Sequence, residues 1–435
     1  MAALLFALAA PASAEDLLQV YRDAQQYDAV YSAARNNLIA ARERLPQGRA
    51  LILPSINLTG NYTKQRTESE SEEPDVVPDF QRRPRSYGYQ LTLTQPIYRQ
   101  QNWLQYDQAE FAVRQGEAVF GQASQELILR VAQTYFDVLA AQDTLELVRA
   151  EKAATLEQLA QAKRNFEVGT ATITDTHEAQ ARADLIVARE IAAQNDLDNR
   201  RRALQLLTGK EYASLDPLRP DVRLTPPNPA DMQAWVELAE RQSYEVQIQE
   251  AAERIAALEA RRASAAHLPT LDLVASHGQT NQTATLTSPI GNELTVSSIG
   301  LQLAVPLYQG GGLSAREREA AALSLSARDQ LANARRTSAL ATRQNYLAVI
   351  NGIAQVNALE QALVSSRSAL ESNKLGYEVG VRINIDVLNA QQQLYATQRD
   401  LALARYQTIT NHLRLKAAAG TLGPEDVEEV NRALQ

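Results

Sequence analysis

Phe166-Glu167-Val168-Gly169 recurs as Tyr377-Glu378-Val379-Gly380, and six residues after each glycine stands an acid, Asp175 behind Ile173-Thr174 and Asp386 behind Ile385. The offset is about 211 residues, and it carries further. Gln133-Thr134-Tyr135 maps onto Gln344-Asn345-Tyr346, Thr208-Gly209 onto Ala419-Gly420, and, one residue out of step, Pro96-Ile97-Tyr98 onto Pro306-Leu307-Tyr308. A repeat this long marks a duplicated structural unit, not a short-period solenoid. Each copy is expected to bring the same elements to one architecture.

Each glycine closes a long helical stretch free of proline, about 99–167 in copy one and about 313–378 in copy two. At 1.5 Å per residue either helix runs about 100 Å. Val349, Val356, Leu363, Leu370 and Tyr377 fall every seven residues, the spacing of left-handed coiled-coil packing. Helices of this length need partners along them. A glycine permits the positive φ of a tight reversal, so returning helices are expected over about 175–207 and 386–418. Thr174 or Asp175 is the expected cap of the first, Asn384 or Asp386 of the second.

Ahead of each long helix the pattern changes to period two. Residues 55–63 and 87–94 alternate apolar or small with polar, separated by a polar loop at 66–86, and Pro96 ends the second strand. Copy two repeats this with strands at 270–276 and 298–303 around a loop at 280–293. Helices at about 16–45 and 231–265 lead into the strands. The expected division is a signal peptide at 1–14 and one elongated unit at 15–435. Within it lie repeat 1 at about 15–210, a proline-rich linker at about 211–230, repeat 2 at about 231–420 and a tail at 421–435. The leader reading rests on an apolar run that ends Ala12-Ser13-Ala14, a small-residue cleavage pattern.

The 435 residues carry a net charge of −8 and no cysteine. Nothing supplies the basic stripe of a nucleic-acid binder, and disulfides and thiolate metal sites are excluded. His177, His267, His277 and His412 show no metal-ligand spacing. Gly310-Gly311-Gly312 lacks the lysine and hydroxyl of a phosphate loop. No catalytic triad motif is found. No enzyme activity, metal or cofactor is therefore expected.

The strands suit a wall with lipid on one side and water on the other. Four strands cannot close a barrel, and an open edge in lipid leaves backbone groups unpaired. Strands placed in a membrane thus require two or three chains to share eight or twelve strands. A soluble sheet with one wet face fits the same alternation.

His267-Leu268-Pro269-Thr270-Leu271-Asp272-Leu273, Val305-Pro306-Leu307-Tyr308-Gln309-Gly310-Gly311, Ile385-Asp386-Val387-Leu388-Asn389-Ala390 and Gly420-Thr421-Leu422, with the glycine motifs, resemble the TolC family of outer-membrane channels over essentially the whole mature sequence. The resemblance implies a mainly helical chain that also carries membrane strands. It implies a homotrimer with a shared twelve-stranded β-barrel in the outer-membrane lipid of a Gram-negative bacterium, and a shared α-barrel in the periplasm. It implies a passive exit duct for drugs or secreted polypeptides, in a tripartite efflux pump or type I secretion system. The partners implied are a periplasmic adaptor (membrane fusion) protein and an inner-membrane transporter of RND, ABC or MFS type. The duct is gated at its periplasmic helix tips.

Residue by residue, Asp386 matches an acid ring at the constriction, where three carboxylates repel one another and gather cations. Asn389 falls where a second ring stands, an amide in place of a carboxylate. That departure predicts fewer negative charges and weaker block by polyvalent cations. Tyr377 and Arg382 match residues that lock neighbouring coiled coils, partnered by Thr174 and Asp175 through a charge-assisted bond. Val168-Gly169-Thr170 and Val379-Gly380-Val381 match the adaptor-contact tips. The rival reading is a soluble periplasmic coiled-coil adaptor, which would have the hairpins without lipid-facing strands.

Overall fold

The computed structural model describes residues 15–69, 80–220, 222–283 and 290–434. The expected signal peptide lies outside them. The chain divides into a sheet unit, Leu38–Glu117 with Ile248–Leu331, and a helical unit that holds the remaining segments. Each copy of the repeat contributes to both.

Copy one supplies α1 (Leu17–Tyr27), α2 (Ala29–Arg42), α3 (Arg44–Ala50), β1 (Ser55–Lys64), β2 (Thr67–Ser69), β3 (Phe80–Arg82), β4 (Arg85–Tyr98), α4 (Gln100–Glu167) and α5 (Ile173–Thr208). Copy two supplies α6 (Met232–Gln242), α7 (Tyr244–Ser264), β5 (Thr270–Gln282), β6 (Asn292–Ala304), α8 (Gly312–Glu378) and α9 (Asn384–Ala418), followed by α10 (Pro424–Asn431). The first expected leading helix is broken at Asp28 and again at Glu43, and the second at Ser243, with Asp28 and Ser243 each starting the next helix. Asp28 Oδ1 accepts from Tyr31 N at 2.6 Å, and Ser243 Oγ from Val246 N at 3.3 Å. Apolar periodicity runs through such a break, which is why the sequence reads as one helix.

In the sheet unit the strand order is β1-β4-β5-β6, antiparallel throughout. Ile56, Leu58 and Tyr62 face Leu93, Leu91 and Tyr87 across the β1–β4 ladder. The alternate rows are polar, with Asn57 opposite Thr92 and Thr59 opposite Gln90. In the single chain the apolar row lies open: Leu58 is 70% exposed and Ile299 77%. β1 and β6 each have one unpaired edge. The strands outrun expectation, since the mainly polar stretch 277–282 and the mixed stretch 292–297 pair as well as the expected strands do. The loop expected at 66–86 holds a small ladder, β2 with β3. Pro96 does not end β4. By then β1 has stopped at the Ser55–Thr94 pair, so β4 is locally an edge strand, where a missing N–H is tolerated. At the foot of the sheet Arg99 grips buried Asp272 with two bonds, Nε to Oδ1 at 2.8 Å and Nη2 to Oδ2 at 2.5 Å.

The helical unit has its main core around Leu127, Val131, Tyr135, Phe136 and Leu139 of α4, packed with α1, α5 and α9 residues. Phe136 stacks on Tyr406 of α9. The repeated tyrosines have matching roles. The Tyr135 hydroxyl donates to Asp216 O at 2.9 Å and the Tyr346 hydroxyl to Ala230 O at 2.9 Å. Each pins one end of the linker to a long helix. Val349, Val356 and Leu370 of the heptad are buried and Leu363 and Tyr377 pack beside them. An apolar 18-residue stretch of α8 is only 11% buried, so much of the apolar surface of α8 is uncovered within one chain.

Candidate functional site at the helical hairpin ends

Both long helices end in the same turn. Gly169 has φ +77° and Gly380 φ +80°, the left-handed conformation that a side chain with Cβ resists. Thr170 N bonds to Asn165 O at 2.8 Å and Gly169 N to Phe166 O at 3.0 Å. In copy two Val381 N bonds to Gly376 O at 2.8 Å and Gly380 N to Tyr377 O at 3.1 Å. These paired bonds are the Schellman closure, which satisfies the last free carbonyls of a helix.

Beyond the turn the copies part. The cap of α5 is Thr172, not Thr174 or Asp175. Its Oγ1 accepts from Asp175 N at 3.3 Å, and Asp175 Oδ2 accepts from Thr172 N at 2.9 Å and from Thr172 Oγ1 at 2.8 Å. This reciprocal capping box occupies Asp175 with its own helix. In copy two the residue in the place of Thr172 is Ile383, and α9 starts with no side-chain cap. Neither Asn384 nor Asp386 performs the expected capping. Asp386, unclaimed, lies 3.6 Å from Arg382 in an i,i+4 pair. Asn384 is buried with its Nδ2 unpartnered within the chain.

The lock partners expected from the sequence are not joined inside one chain. Arg382 reaches Asp386, Asp175 is held by Thr172, and the Tyr377 hydroxyl accepts from Asn165 Nδ2 at 3.1 Å. Thr174 is exposed. The Asn165–Tyr377 bond does tie α4 to α8 near their ends. Below it, Leu388 and Ile385 of α9 pack with Leu159, Ala162, Ala179 and Ala183 of the first hairpin. Val168, Val379, Val381 and Ile383 are apolar yet 73%, 65%, 79% and 61% exposed, so the turns present bare hydrophobic tips.

Asn389 is exposed, one turn along α9 from Asp386, and its Oδ1 accepts from Arg182 Nη2 at 2.9 Å. Arg182 Nη1 also donates to Gln392 Oε1 at 2.6 Å. Sequence reading passed over Thr172, Asn165 and Arg182. Thr172 was findable, because Thr-x-x-Asp at the start of a helical stretch is a capping-box signature. Asn165 and Arg182 carry no local signal, since their partners lie on other helices.

Two hairpins with matched turns and an open four-stranded sheet, both drawn from a doubled chain, define a known architecture. The sequence profile of the outer membrane efflux protein family matches residues 20–210 and 235–421, one stretch in each repeat. The chain belongs to the outer membrane efflux protein family. Among its relatives in that family, outer membrane protein TolC of Vibrio cholerae is 35% identical over 438 residues, covering 100% of this chain and 97% of the relative. The alkaline protease secretion protein AprF of Pseudomonas aeruginosa is 33% identical over 432 residues, covering 98% and 89%. The fold is also that of the crystal structure of VceC from Vibrio cholerae, with a TM-score of 0.78 at 20% identity, covering 93% of this chain and 96% of that one. As a member of the family the chain is an outer-membrane exit duct with its helical part in the periplasm. The soluble-adaptor reading falls with that assignment.

Proposed function

We propose that this duct is a homotrimer, gated where the helical hairpins end, and that it serves an inner-membrane transporter through a periplasmic adaptor. The observation that carries the gate is the divergence of the two ends. One acid, Asp175, is bound into its own helix cap, while its repeat mate Asp386 is released from capping and faces Arg382. In the trimer Asp386 forms the acid constriction and Asn389 stands in the next layer. The lock joins Arg382 and Tyr377 to Thr174 and Asp175 of a neighbouring hairpin, a contact the single chain does not make. A few exposed polar bonds are weak enough for a partner's binding energy to break.

The tips Val168-Gly169-Thr170 and Val379-Gly380-Val381 are the adaptor contact. Exposed valines at a rigid turn suit a helical partner that covers them. An RND, ABC or MFS transporter supplies the energy. Relatives named for protease secretion and for toluene efflux support an exit path for polypeptides or small molecules. The test is conductance in planar bilayers. Arg382→Ser with Tyr377→Phe should raise single-channel conductance several-fold. An unchanged conductance rejects the lock.

A further inference from the structure

Arg182 has an unusual set of partners for a cation on a helix rich in acids. Both of its hydrogen bonds end on neutral amide oxygens, Asn389 Oδ1 and Gln392 Oε1. Among the described residues no carboxylate lies within ion-pair distance of it. An acid that feels its charge is Glu151 of α4. Burial raises the Glu151 pKa, and Arg189, Arg399 and Arg182 oppose that rise. Glu151 is already paired with Arg189 at 3.7 Å, and Arg399 has Asp400 at 3.0 Å. Three guanidinium groups thus surround a site whose acids are spent on two of them. Arg182 is the one left over.

An amide orients a guanidinium without neutralising it. A guanidinium has five N–H donors in a planar fork, and the two amides take one from each terminal nitrogen. The remaining edge has the geometry that carboxylates and phosphates bind in two-point fashion. Asp386 and Asn389 stand three residues apart on α9, so they are neighbours on one face of the helix, and Gln392 follows Asn389 on the next turn. Along that face the acid layer nearest the turn is followed, about 5 Å further on, by a basic one.

We propose that Arg182 makes the second layer of the duct mouth an anion-recognising one. It takes carboxylate or phosphate groups of passing solutes while Asn389 and Gln392 hold its fork in place. This rests on the reading above that Asn389 faces the conduction path. A carboxylate at position 389 would close the site by pairing with Arg182. The amide there keeps it open. The mouth is then a two-sign filter in which cations gather at Asp386 and anionic groups are received one turn deeper.

The test uses the full-length protein in planar bilayers. Reversal potential is measured in a KCl gradient, and block by citrate and by inorganic phosphate is titrated from the periplasmic side. In the parent channel both anions should block. Arg182→Gln should weaken that block on the order of tenfold, the size expected for loss of a charged hydrogen-bond partner, and move the reversal potential toward cation selectivity. Asn389→Asp should do the same by a different route, with Arg182 still present. Loss of block for one anion alone identifies carboxylate or phosphate as the ligand. If Arg182→Gln and Asn389→Asp leave block and reversal potential unchanged while Asp386→Asn shifts the reversal potential, the anion site is refuted and the mouth reading stands. If none of the three has an effect, both are refuted. A change on Arg182→Gln without one on Asp386→Asn upholds the anion site and removes Asp386 from the path.

Discussion

The two hairpin ends share a turn and differ in everything that follows it. Copy one spends a threonine and an aspartate on a closed capping box. Copy two has Ile383 in place of the threonine, Arg382 in place of Ala171, and a buried Asn384 in place of the exposed Ile173. One end therefore has its helix cap closed, with Thr176 Oγ1 in the first turn of α5 buried and unpartnered within the chain. The other carries an uncapped helix, an aspartate answered by one exposed arginine, and a buried amide with a free donor. Duplication preserved what builds the reversal and let go of what finishes it. The unfinished end is the one with groups to offer a neighbour.

The sharpest test of the shared part is at the glycines. Gly169→Val and Gly380→Val should each destabilise their hairpin end by about 1–3 kcal/mol, because a β-branched residue is strained at positive φ. Hydrogen exchange of the flanking amides checks this, and unequal losses would break the claim that the turn is common to both. Next in size is the cap. Thr172→Ala should cost about 1 kcal/mol and speed exchange in the first turn of α5. The reverse change, Ile383→Thr, should slow exchange at the start of α9 by a comparable amount and draw Asp386 away from Arg382. If Ile383→Thr leaves exchange at α9 unaltered, the missing threonine is not what separates the two ends. Smallest is Arg382→Ala. Its ion pair is exposed and 3.6 Å long, so thermal stability should move by no more than about 0.5 kcal/mol, as read by calorimetry. A large loss would mean that Arg382 holds the fold rather than the gate.

Much of this is legible in the sequence. The doubled glycine motif placed both reversals within a residue or two, because positive φ and the end of a proline-free run are local facts. Strand alternation located β1 and β4, and the heptad from Val349 to Tyr377 named buried positions of α8. The breaks at Asp28 and Ser243 escaped because one capping residue does not interrupt an apolar period. The extra length of β5 and β6 escaped because polar residues pair as readily as apolar ones when a neighbouring strand is present. At the site, Asp386 and Asn389 were visible on α9. Arg182 was not, since it lies 207 positions from Asn389 and only packing of α5 on α9 brings them together.

The Arg99–Asp272 pair has a consequence for how copies of the chain tell inside from outside. It fastens β4 to β5, the seam where repeat 1 meets repeat 2. Leu53-Pro54-Ser55-Ile56-Asn57 matches Leu268-Pro269-Thr270-Leu271-Asp272 four residues out of step with the main offset, which sets Asn57 in the place of Asp272, and Tyr308-Gln309 sets Gln309 in the place of Arg99. When β6 of one chain meets β1 of the next, the matching position brings amide to amide. The internal seam is thus ionic and the external one neutral. Burying Asp272 against Gln309 strands a charge, which costs far more than an unmatched amide. The duplicated chain thereby carries an address at each seam, and a nascent sheet that pairs its strands in the wrong order is penalised before a ring can close.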